Sequence, residues 1–95
     1  MSDIYFDENE LLESIQKTRG LIEICNYFIE IYEDSVKAYE DKIKQSPSDH
    51  RYKSWLEEAK EKLAEDREAL QHYEERLNEE LEIYKKYYGR KETLQ

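Results

Sequence analysis

Between residues 11 and 43 the seam-forming positions fall in alternating steps of four and three: Leu11, Ile15, Thr18, Ile22, Cys25, Ile29, Tyr32, Val36, Tyr39 and Ile43. This spacing draws one stripe along a helix that shares a seam with a partner helix. A second row repeats it: Tyr52, Leu56, Ala59, Leu63, Asp66, Leu70, Tyr73 and Leu77. The two rows predict two long helices, over about 7–45 and about 47–88, joined by a turn at about 45–47. Each would approach about 60 Å at about 1.5 Å per residue. After Leu77 the apolar phase changes to Leu81, Tyr84 and Tyr88. An extra four-residue step of this kind unwinds a supercoil locally, and predicts a splayed or shifted register near Ile15 and Leu11.

The helix ends carry their own signals. Asp7 can cap the first helix with Glu10 as the reciprocal capping-box residue, and Phe6 with Leu11 fits a hydrophobic staple. At Gln45-Ser46-Pro47-Ser48-Asp49 the proline disfavours helix before it, whereas a cap at Ser46 would put Pro47 at the first helical position and Asp49 at the capping-box site. Gly89, after Lys85 and Lys86, is placed to end the second helix in a left-handed residue. Folding back at Ser46-Pro47 sets Tyr39 opposite Leu56, Val36 opposite Ala59, Tyr32 opposite Leu63 and Thr18 opposite Leu77. The predicted fold is all-α: an antiparallel two-helix coiled-coil hairpin forming a single domain over residues 1–95, with a short basic C-terminal tail.

One stripe does not account for all the apolar residues. Leu21, Ile24, Phe28 and Ile31 flank the first seam and leave the helix apolar around more than half its girth. Two helices do not cover that width, so the pattern predicts dimerisation into a four-helix bundle through this face, or docking of another protein on it.

Composition changes the picture in two ways. A mean hydropathy of −1.12 with 41% charged residues lies toward the disordered range, but the periodic placement supports folded helices. Net charge is −9, from 24 acidic and 15 basic side chains in 95 residues. That charge opposes nucleic acid and anionic membranes as main partners and favours a basic protein surface. Between Glu57 and Glu82 eleven acidic residues stand against four basic ones, and residues 20 to 36 contain Glu23, Glu30, Glu33 and Asp34 with no Lys or Arg. Trp55, Tyr87 and Tyr88 are candidate aromatic anchors for a partner, beside Leu21, Ile24, Phe28 and Ile31. Tyr27, whose phase commits it to neither stripe, can join them. The basic end Lys85 to Lys91 reads as a helix-end feature or a partner contact.

Catalytic chemistry is thin. A domain this small has little interior for a pocket and its apparatus. Glu68, His72, Glu75 and Glu79 share a helical face that admits a metal, yet paired Glu-x-x-His units are missing and a solvated charged face is the simpler reading. Cys25 follows the core spacing and reads as a buried structural thiol, His50 belongs to the turn, and Asp66 is a carboxylate on a seam position that local rotation would turn toward water. No cofactor is expected. The single cysteine, the absence of a membrane-length apolar run and the MSDIYFDE start, which is unlike a secretion signal, predict a cytoplasmic protein.

The expected function is that of a noncatalytic acidic protein-protein interaction module, an adaptor or an inhibitor docking on a basic surface, with a carboxylate-rich metal-binding protein as an alternative. Length, two-helix layout and the Tyr88 to Glu92 spacing also resemble the WXG100 secretion family of acidic hairpins with a C-terminal Tyr-x-x-x-Asp/Glu signal. That resemblance implies export. The family's central Trp-x-Gly turn is not matched here, since the turn reads Ser46-Pro47-Ser48 and Trp55 sits in the next helix.

Overall fold

A computed structural model describes residues 7–89. Two helices form an antiparallel hairpin: α1 spans Glu8–Gln45 and α2 spans His50–Tyr88. Asp7 caps α1, its Oδ1 accepting from the Glu10 amide at 2.8 Å, and Glu8 and Glu10 sit at the positive end of the helix dipole. Phe6 of the expected staple, the tail beyond Gly89 and Glu92 lie outside the described residues.

The connection differs from the expected cap at Ser46. The Ser46 amide donates to Lys42 O at 2.8 Å and so completes α1; the Asp49 amide then donates to Ser46 O at 3.1 Å, closing a four-residue turn. Pro47 occupies the second position of that turn, where its fixed φ is already suitable. The cap of α2 is Asp49, whose Oδ1 accepts from the Arg51 amide at 3.1 Å, and α2 therefore starts at His50. The Arg51 guanidinium closes on the same carboxylate with Nε to Oδ1 at 3.0 Å and Nη2 to Oδ2 at 2.7 Å. At the other end of α2 the expected left-handed glycine is not formed. Gly89 lies in a tightened 3-10 turn without a positive φ.

The chain divides into two compact units, each built from a segment of both helices. One unit takes α1 from Ile24 and α2 as far as Leu70. Its buried side chains are Cys25, Ile29, Ala59 and Leu63, with Tyr32, Val36, Tyr39, Tyr52 and Leu56 half-buried around them. Tyr39 meets Trp55, the neighbour of its expected partner Leu56, at 5.9 Å between ring centroids. Asp66 is half-buried, neither sealed nor fully in water. Arg67 bridges the helices to Glu33 at 2.8 Å, but both side chains are exposed, so this pair contributes at most about 1 kcal/mol.

The other unit takes α1 up to Glu23 and α2 from Gln71. The expected splaying near Leu11 and Ile15 does not occur: they are 1% and 3% exposed. The reason is Glu80, a residue the apolar count passes over. With it, the row reads Tyr73, Leu77, Glu80, Tyr84, and the four-three spacing of α2 never breaks. Glu80 is only 4% exposed and stands against Thr18, which is fully buried. Thr18 Oγ1 lies 2.9 Å from Glu80 Oε1 and 2.9 Å from Ser14 O, sharing its one proton between them, and Ser14 Oγ donates to Glu80 Oε2. From the solvent side Arg76 Nε reaches the same oxygen at 3.4 Å, one turn away on α2. A buried charge is tolerated only with such a set of partners. Tyr84 continues the ladder by donating to Glu8 Oε2 at 2.9 Å.

The cap and the buried cluster each have a measurable signature. Arg51 hydrogen bonds hold the Asp49 carboxyl down at about 2, below its ordinary range. Its contribution to stability is therefore complete above the unfolded value of about 3.9 and is lost as pH falls through about 2. The variant Asp49→Asn keeps a capping oxygen but cannot titrate. Thermal melts of the two proteins should differ above about pH 4 and converge toward about pH 2, and parallel curves would refute the assignment. For the buried cluster, Thr18→Val should cost about 1–3 kcal/mol with Glu80 present. In a Glu80→Leu background, itself neutral or stabilising, the same change should cost far less. Equal costs in the two backgrounds would mean that Thr18 and Glu80 are not coupled.

Candidate functional site

Within the unit that contains the turn, α1 presents a second apolar face. Ile24, Tyr27, Phe28 and Ile31 are spaced so that they line one side of the helix, while Cys25, Ile29 and Tyr32 turn toward α2. All four are large and exposed, Phe28 by 41% and Tyr27 by 61%. The two aromatic rings of this face pack on neighbouring rings. The Tyr27 ring meets Phe28 edge-on at 5.5 Å and 71°, and Phe28 stacks on Tyr32 at 6.3 Å and 25°. Such arrangements suit the aromatic quadrupole and fix rings that solvent would otherwise leave loose.

Tyr32 links this face to an open groove between the helices, which it lines with Tyr39, Trp55, Ala59 and the polar side chains of Ser35, Glu58 and Lys62. At about 250 Å³ and largely open, the groove is smaller than the roughly 300–1,000 Å³ of small-molecule sites. Trp55 is held at its edge by Tyr52, edge-on at 5.5 Å, and by the Arg51 guanidinium 6.0 Å from its ring. Glu30, just before Ile31, and Asp34, just beyond it, are both exposed on α1.

The sequence candidates are thus distributed unevenly. Ile24, Phe28 and Ile31 share the face, and Trp55 stands exposed at the groove of the same unit. Leu21 is half-buried in the other unit. Tyr88 belongs to that unit too, its ring 5.6 Å from Tyr84. Tyr87 is exposed there beneath the Lys86 ammonium at 5.6 Å. Tyr27 falls in with the face, and its place three residues after Ile24 and four before Ile31 is the signal in the spacing that assigns it there. Tyr32 and Tyr39 serve both seam and groove, because a tyrosine at a seam edge buries its ring on one side only.

Other chemistry is sparse. Burial pushes the Cys25 thiol up, and the nearby Asp66 carboxylate adds to the effect, so the sulfur stays protonated and unreactive at neutral pH. Among the described residues no group of three or more His, Cys, Asp or Glu side chains is placed to hold a metal ion, and Glu68, His72, Glu75 and Glu79 all stand exposed along α2. No described helix is long and apolar enough to cross a membrane. Comparison with protein-family models, curated proteins and solved structures gives no match.

The two faces of α1 should respond differently to charge. Phe28→Asp should lower unfolding free energy by no more than about 1 kcal/mol, as a surface change does. Ile29→Asp should lower it by about 3 kcal/mol or more, because it strands a carboxylate in the seam. Denaturant melts followed by circular dichroism measure both, and similar losses would mean that Phe28 is core.

Proposed function

We propose that this chain is a noncatalytic acidic protein-protein interaction module that docks on a basic protein surface, as an adaptor or as an inhibitor of the protein it covers. The observation that carries the reading is the apolar face Ile24, Tyr27, Phe28 and Ile31, left exposed on a helix whose other stripe is already buried. Exposed apolar surface is costly to keep in water, and a contiguous patch of it marks a contact surface. Net charge of −9 and carboxylate-rich helices set the sign of the partner, because they draw a Lys/Arg-lined surface toward the chain from beyond contact distance. Cytoplasmic action fits the single free thiol of Cys25.

A pull-down with the immobilised chain at about 0.1 M and about 1 M salt tests this, since the screening length falls from about 10 Å to about 3 Å between them. Basic proteins should be retained in the first condition and released or strongly reduced in the second. Retention of neutral or acidic proteins with no response to salt would overturn the reading.

A further inference from the structure

The exposed face of α1 invites a specific occupant. Its residues repeat at the spacing of a helix seam, and a helix is the element that meets such a ridge over several turns with side chains from one face alone. Beside the face lies the groove bounded by Tyr32, Tyr39 and Trp55, which offers anchor space at one end. Charge then discriminates among helices. Residues 20 to 36 contain no Lys or Arg, Glu30 and Asp34 are both exposed along this stretch, and Glu33 is already engaged by Arg67. A second copy paired antiparallel about a twofold axis would bring the same acidic edge against itself, whereas Lys and Arg flanking an apolar stripe would meet it with opposite sign.

We infer that the Ile24, Tyr27, Phe28 and Ile31 face, with the adjoining Trp55 groove, binds a basic amphipathic helix of another protein, adding it as a third helix to the hairpin. This rests on the proposed docking function and narrows it to a helix-in-groove mode, in which the partner supplies apolar residues at helical spacing and basic residues on their flank. The carboxylates speed encounter and select sign; the apolar face supplies the contact that outlasts it.

Three synthetic peptides of about three heptads separate the possibilities. The first carries Leu at the seam positions and Lys on the flanks, the second Leu with Glu on the flanks, the third Ser at the seam with Lys kept. Titrated against the full chain at about 0.1 M salt, the Leu/Lys peptide should bind at least about tenfold more tightly than either control. Phe28→Asp and, as a milder variant, Ile24→Ser should each weaken it by about tenfold or more while circular dichroism shows the helices intact. The double change Glu30→Lys and Asp34→Lys should shift preference toward the Leu/Glu peptide. Equal binding of the Ser/Lys peptide, indifferent to Phe28→Asp, would overturn the inference and leave electrostatic docking on a basic surface standing. A native dimer in sedimentation that Phe28→Asp dissociates would overturn it in favour of a second copy. Failure of every peptide, together with salt-indifferent capture in the pull-down, would remove both the inference and the function it rests on.

Discussion

Two helices share one seam, and each helix can bury only the stripe that faces it. Everything else about this chain follows from the fact that α1 brings two stripes to a partner able to cover one. The row through Leu11, Ile15, Cys25 and Ile29 is taken up by α2, and the row through Ile24, Phe28 and Ile31 is left over. α2 has no comparable surplus, since its outer faces are dense in Glu and Lys. The asymmetry is therefore written into α1 alone, and it localises the surface on which a further element can pack.

The seam itself is not uniformly greasy. Thr18 and Glu80 are buried together, and Asp66 occupies a seam position of α2 with partial access to water. Replacing a buried polar set as a whole with well-packed hydrocarbon is often neutral or stabilising, although removing one partner alone is costly, so its presence argues for something other than tightness. Leucine-rich seams slide readily by a heptad. A carboxylate that finds Ser14 and Thr18 in only one alignment penalises every other register by an unsatisfied buried charge. The same logic explains why Leu11 and Ile15 are so well covered: the polar cluster holds α2 alongside them, and Tyr84 adds a hydrogen bond to Glu8.

Much of the hairpin was legible in the sequence because it depends on spacing, and spacing needs no tertiary knowledge. The alternating steps located both helices, Asp7 announced its cap, and Pro47 announced the break. Three features were not legible for reasons that can be named. Glu80 was lost because counting apolar residues treats a carboxylate as an interruption, although its place in the four-three row was there to be seen. The cap of α2 fell to Asp49 because Pro47 suits both the first turn of a helix and the corner of a β-turn, and the chain reversal required the corner. The groove at Tyr32 and Trp55 depends on how two ring-bearing edges come together across the helices, which no single stripe encodes. The surplus face itself was visible as Leu21, Ile24, Phe28 and Ile31, but its extent was not: Leu21 is half-covered, and Tyr27, uncommitted by phase, belongs to the face.

An uncovered apolar face on a small protein is normally a liability, because any two copies can bury it against each other. High net charge of one sign opposes that outcome over distances comparable with the screening length, and does so without touching the face. The carboxylates of this chain therefore act in two directions at once. In the proposed function, the negative charge that opposes a second copy at long range is the same charge that attracts a basic surface. Apolar contact and charge are in this sense one device: removing the charge would leave a face that binds itself, and removing the face would leave a charge that attracts without holding. For the proposed docking function, the face supplies the contact and the charge sets the sign of the partner.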